Sequence, residues 1–254
     1  MKDRNVQNKN EYRNFIGCGG MRLLDVIERE LMIRPGSKII DIGCGFGDSS
    51  VYLANKYEDL SVVSIDKWFD QEAVINGGHG RIIPIKDDAS DALKKLEKDH
   101  FDYAICMNSY FLMHDASFNL NQIMKHLRPG GKLCIASECF RLEVHSKRIV
   151  DLLDVELGWN PWKDCFSKYH SPVWWMREFS SLLEGGYRIE TCGELDIGVD
   201  LFDAFIDNME QSVGPCVKKS GAVMPRKNFM QLRNELKNED NVLTMMMASI
   251  IRTT

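Results

Sequence analysis

Gly43, Gly45 and Gly47 alternate with Cys44 and Phe46 directly behind the short run Lys38 to Ile42, which carries Asp41. Glycines open backbone conformations closed to other residues and let a ligand come close to the main chain. The spacing says which kind of ligand. A dinucleotide turn reads G-x-G-x-x-G and a P-loop ends in Gly-Lys-Ser/Thr, whereas this sequence reads G-x-G-x-G and continues Gly47-Asp48-Ser49. Asp48 would repel a phosphate, and carboxylates around such a turn suit a ligand that carries positive charge.

Further polar residues fall at the ends of later apolar runs. Asp66, followed by Lys67, closes residues 61 to 66; Asp88-Ala89 follows residues 81 to 86; Cys106, Met107 and Asn108 end FDYAICMN; and LRPGGKLCIAS spans residues 127 to 137. With these in place, DIGCGFG resembles the first motif of class I S-adenosylmethionine (SAM)-dependent methyltransferases, over about residues 20 to 140. SAM carries a sulfonium and an amino group, which agrees with the charge argument. The resemblance implies SAM as cofactor, with S-adenosylhomocysteine as product, held by Asp41, Gly43, Cys44 and Gly45 of the turn. It implies that Asp66, with Lys67 beside it, takes the ribose hydroxyls, since a carboxylate accepts both protons. It further implies Asp88 or the neighbouring Ala89 amide at the adenine edge, Cys106, Met107 and Asn108 as the floor under the methionine portion, and Tyr12 on an N-terminal segment folding over the cofactor. LRPGGKLCIAS is similar to the ubiquinone/menaquinone-type small-molecule methyltransferases.

For catalysis, His114 lies where an acceptor should arrive, and an imidazole could take a proton from a hydroxyl or amine. Related small-molecule enzymes place a histidine earlier, where this chain has Phe111 and Leu112. Tyr169, His170 and Glu138 are the other polar candidates, each with an ordinary structural reading. Trp159/Trp162 and Trp174/Trp175 could form an apolar or cation-binding pocket, although aromatic residues at helical spacing usually fill core. Cys44 reads as a small residue tolerated between glycines.

These residues need a scaffold of alternating strands and helices. Residues 21 to 33, 48 to 57, 90 to 98 and 117 to 127 have helical character; 38 to 42, 61 to 66, 81 to 86, 101 to 107 and 131 to 137 read as strands, and 187 to 195 and 242 to 252 as two more. Alternation of this kind predicts a doubly wound α/β fold: a seven-stranded, mostly parallel sheet with helices on both faces and its last strand antiparallel. We expect one domain over 1 to 254, with an N-terminal segment at 1 to 20 and lid insertions at 141 to 180 and 196 to 241.

Composition narrows the function classes. A net charge of −5 argues against a nucleic-acid partner, and Lys218, Lys219, Arg226 and Lys227 read as a solvated loop. The eight cysteines are dispersed without a C-x-x-C pair, so neither zinc nor a disulfide framework is expected. No segment approaches the roughly 20 apolar residues of a membrane span, and a cytoplasmic location is expected. MNSYFLM after the fourth strand lacks the aspartates of the metal-dependent catechol branch, and Asn108-Ser109-Tyr110-Phe111 lacks the prolines of the adenine-N6 branch. The expected function is methyl transfer to a small-molecule acceptor at O, N or C. An RNA or protein methyltransferase and a non-catalytic SAM-binding module are the alternatives.

Overall fold

The computed structural model describes residues 20–67, 80–114, 118, 120–143, 147–154, 160–183, 185–195, 231, 234–235 and 243–254. Tyr12, Trp159, the four basic residues between 218 and 227 and most of the 196 to 241 insertion lie outside them.

Seven strands form one sheet: β1 (Lys38–Ile42), β2 (Ser61–Ile65), β3 (Ile82–Ile85), β4 (Phe101–Met107), β5 (Leu127–Phe140), β6 (Tyr187–Leu195) and β7 (Leu243–Arg252). Their order is β3-β2-β1-β4-β5-β7-β6. The first five are parallel, and β7 runs antiparallel between β5 and β6. The order reverses between β1 and β4, and in open α/β sheets ligands bind outside the carboxyl ends of the strands at such a switch point.

Strand alternation sends neighbouring residues to opposite faces. Ile39, Tyr103 and Ile105 pack with α1 (Gly20–Leu31) and α2 (Asp48–Lys56); Ile40, Ile42 and Ala104 pack on the other face. That second layer contains α3 (Ala89–Lys94), α4 (Tyr110–Met113), α5 (Leu120–Met124) and the later helix α8 (Pro172–Leu182), after α6 (Lys147–Leu153) and α7 (Pro161–Asp164). Leu23, Leu24, Ile27 and Leu31 of α1 are buried at helical spacing, and Met32 ends the helix in a left-handed conformation at φ 52°.

Two expectations change. The fifth strand is longer than residues 131 to 137: it runs to Phe140 because β7 pairs with it from Lys132↔Ile251 to Phe140↔Leu243. The 141 to 180 stretch does not stand apart as a lid throughout. Its last part is α8, which packs on β6 and α5 and buries Trp175 and Phe179 in the main core. Trp175 stacks on Phe111 with ring centroids 4.2 Å apart, so this tryptophan fills core. Among the described residues, no helix is long and apolar enough to cross a membrane.

Candidate functional site

The turn after β1 is fixed by main-chain bonds to its neighbour. Gly43 N and Cys44 N both donate to the Ile65 carbonyl at the end of β2, at 2.8 and 3.1 Å. Gly43, at φ +71°, has no room for a side chain: a Cβ there would lie 2.3 Å from Ser109 Cβ. Gly47, at φ 91°, precedes α2 without a side-chain cap. Asp66, one residue past β2, accepts a hydrogen bond from Gly45 N on Oδ2 at 2.9 Å. The sequence-predicted ribose ligand and the glycine turn are therefore in direct contact.

Asp41 is buried and ties β1 to α2. Its Oδ2 accepts from Ser49 Oγ at 2.6 Å and Ser50 Oγ at 2.8 Å, and Ser50 Oγ lies 2.7 Å from Ser64 Oγ on β2. Its Oδ1 has no hydrogen-bond partner. Burial pushes the Asp41 carboxyl up to about 6, against the two serine hydroxyls that pull it down, and neighbouring Asp66 adds to the rise. Asp48, in the first turn of α2, is pushed up to about 6 by burial, and its Oδ2 is also without a hydrogen bond. Three acidic side chains thus surround one turn, and burial opposes the ionisation of two of them. The Ser49, Ser50 and Ser64 hydroxyls were missed from sequence; the signal was the Ser49-Ser50 pair eight and nine residues after Asp41, one helical start away.

Of the two groups the resemblance implies at the adenine edge, the Asp88 carboxylate already has partners within the chain. Asp88 caps α3, its Oδ1 accepting from Ser90 N and Ser90 Oγ at 3.0 Å, and Lys67 Nζ lies 3.2 Å from its Oδ2. These bonds hold Asp88 below the usual carboxylate range despite the opposing effect of burial. The carboxylate is committed to the cap and to Lys67. The main chain at Asp88 and Ala89, the first residue of α3, is what the cap presents.

At the end of β4 the side chain of Cys106 is a correction to the expected floor. It is fully buried in the main core, and burial holds its thiol well above the usual range, because residue 106 faces α4 rather than the strand ends. Met107 is half-buried on the opposite face. Asn108 turns the chain at φ 54°, with its N–H donating to the Ala136 carbonyl at 2.8 Å. Ser109, which the sequence reading left unused, donates its hydroxyl to the Ile42 carbonyl at 2.7 Å.

His114, the expected base, lies at the end of α4. Its Nδ1 lies 3.2 Å from Tyr110 Oη and its Nε2 3.2 Å from Glu178 Oε1, and the ring stacks on Tyr110. Both ring nitrogens are engaged within the protein, so the residue joins α4 to α8. His170 stacks on Trp174 at 3.8 Å and meets Glu143 through Nδ1 at 2.9 Å; Glu143 also accepts from Ser171 N at the start of α8. Tyr169 is buried and Glu138 accepts from Ser137 Oγ at 2.7 Å near the end of β5. Among the described residues no group of three His, Cys, Asp or Glu could hold a metal ion.

Residues 39–131, which run from β1 to the start of β5, match the methyltransferase domain family. A solved phosphoethanolamine N-methyltransferase 2 of Haemonchus contortus, in complex with phosphomonomethylethanolamine and S-adenosylhomocysteine, superposes at a TM-score of 0.64 and 17% identity, covering 95% of this chain and 55% of that one. The fold is one that solved methyltransferases share. A phosphoethanolamine N-methyltransferase of Triticum aestivum is 28% identical over 129 residues, half of this chain and 25% of that protein. A U6 snRNA methylphosphate capping enzyme of Drosophila melanogaster is 24% identical over 172 residues, covering 53% of this chain and 56% of that one. The chain spans only about a quarter of the length of the wheat relative.

Proposed function

We propose that this chain binds SAM at the turn after β1 and transfers its methyl group to a small-molecule acceptor. The observation that carries the reading is the contact of Gly45 N with Asp66 Oδ2 at 2.9 Å, beside buried carboxyl oxygens on Asp41 and Asp48 that have no hydrogen bond. A sulfonium and an ammonium would supply the missing positive charge, and a pyrophosphate would not. When bound, SAM supplies a methyl group already activated on sulfur, and the product is S-adenosylhomocysteine.

The chain's own residues would then hold and align. Asp66 offers carboxylate acceptors to the ribose hydroxyls while Gly45 N fixes its orientation. Asp41, Asp48 and the Gly43, Cys44 and Gly45 backbone edge the methionine portion, and the main chain at Asp88 and Ala89, with Lys67 fixing Asp88, meets the adenine. Met107 and Asn108 form the floor at the end of β4. Aligning an acceptor in line with the methyl group and excluding water is the protein's main contribution to such a transfer. A histidine base is not required for an amine acceptor, and His114 serves in this reading to fix α4 against α8. The reading keeps a single domain over 1 to 254.

The run LRPGGKLCIAS supports a place near the ubiquinone/menaquinone-type branch, and the net charge of −5 supports a small-molecule acceptor over a nucleic acid. The test is transfer of label from methyl-labelled SAM into a cell extract, separated into small-molecule and macromolecular fractions, for wild type and Asp66→Ala. Small-molecule label that depends on Asp66 is the expected result. Label in RNA or protein overturns the acceptor class, and no label in any fraction favours a SAM-binding module.

A further inference from the structure

The turn after β1 and the turn after β4 are interlocked through one side chain. Ser109 Oγ donates to the carbonyl of Ile42, the last residue of β1, at 2.7 Å. The Ser109 Cβ occupies the space that any side chain at 43 would need: a Cβ on Gly43 would lie 2.3 Å from Ser109 Cβ and 2.7 Å from its Oγ. Ser109 also starts α4, its carbonyl accepting from Leu112 N and Met113 N at 3.1 and 3.3 Å. Met113 then returns its terminal methyl to within 3.6 Å of the same Gly43 position. Gly43 itself is tied to β2 through Ile65, so the cofactor turn has α4 on one side and the β2 end on the other.

We propose that Ser109 is a positioning residue that couples the cofactor turn to helix α4, so that occupancy of the turn orders the helix facing the acceptor side. This rests on the SAM-binding reading given above. A carbonyl at the end of β1 that lost the hydroxyl would be a buried acceptor without its partner, and the turn would be free to shift against Asn108. The hydroxyl supplies a directional bond, and the close approach at Gly43 supplies a stop. Together they leave the turn and α4 little independent movement. From α4 the contact continues through His114 to Glu178 on α8, which gives the cofactor turn a packed route to the second layer of the sheet.

The experiment combines SAM titration with hydrogen exchange of the full chain, comparing peptides that cover 43–47 and 110–114 in wild type and Ser109→Ala. Ser109→Ala keeps the Cβ and therefore the packing, and a thermal melt confirms folding. In wild type, SAM slows exchange in both peptides. In Ser109→Ala it slows only 43–47, and the Kd rises roughly tenfold, the effect of losing one hydrogen bond. Unchanged Kd with protection of 110–114 intact overturns the coupling while leaving SAM binding in place. Wild type without saturable SAM binding instead overturns the functional reading on which it rests. A second comparison uses the steric stop. Gly43→Ala weakens SAM binding more in the Ser109 background than in Ser109→Gly, where the clashing Cβ is gone; equal losses in the two backgrounds refute the coupling.

Discussion

Lowering the pH from 7.5 to 5 should weaken SAM binding through the carboxyls at the glycine turn. Asp41 and Asp48 each titrate at about 6 instead of 3.8 because burial disfavours the charged form. The sign follows from the direction of the shift. A carboxyl whose pKa is raised in the folded chain favours the protonated fold, so its stabilising contribution is complete below 3.8 and lost as the pH rises through about 6. At neutral pH the free chain therefore holds two carboxylates at a cost of very roughly 3 kcal/mol each, which a cation at the turn can offset. At pH 5 each group is ionised in only about one molecule in eleven, so a ligand that needs one carboxylate loses about tenfold in affinity and one that needs both loses about a hundredfold. Calorimetric titration from pH 5 to 8 in buffers of different ionisation enthalpy gives both the Kd and the number of protons released. The SAM α-amino group stays protonated over the lower part of this range, so the protein supplies the change. Asp41→Asn should flatten the profile by about one proton's worth. A Kd constant between pH 5 and 7.5, or proton uptake on binding near pH 6, would refute the argument that these carboxyls await positive charge.

Three other substitutions probe the scaffold. Trp175→Ala should cost about 3–5 kcal/mol in urea unfolding, as for other large buried aromatics, whereas a loss below about 1 kcal/mol would mark α8 as a loosely attached lid after all. Met32→Gly should raise the melting temperature by about 2–4 °C, since an exposed methionine closes α1 in a conformation that glycine adopts without strain; an unchanged or lower value would show that the methionine side chain contributes more than its backbone costs. His114→Gln should lower the melting temperature and leave labelled-methyl transfer into the extract in place, because the ring ties α4 to α8; complete loss of transfer with a folded, SAM-binding variant would restore the base.

The sheet was legible because buried parallel strands are short apolar runs and each is closed by a glycine, a carboxylate or a turn. DIGCGFG and Asp66 could be placed for the same reason: strand ends put them in one crevice, and the Gly45–Asp66 bond joins them. Where the reading departed from the structure, a long-range partner decided the outcome. The reach of β5 to Phe140 depends on β7, which lies over a hundred residues later in the chain. The contact of His114 with Glu178 is likewise invisible from the segment after β4. Cys106 was drawn to the floor by its position in FDYAICM, but strand alternation turns it into the core beside α4. Asp88 also carries a capping signal, since Ser90 two residues on was available to donate its N–H to the carboxylate. Ser109 had no signal at all from sequence, because its importance lies in the absence of a side chain at Gly43.

Equilibrium titration of SAM into wild type and Asp66→Ala, with NAD and ATP as competing ligands and melts to confirm folding, tests the central claim most directly. The account predicts saturable SAM binding to wild type, little displacement by NAD or ATP, and a loss of at least about tenfold in Asp66→Ala, where both the ribose acceptor and the Gly45 contact are gone. Equal affinity in the folded variant, or preferential binding of NAD or ATP by wild type, would contradict it.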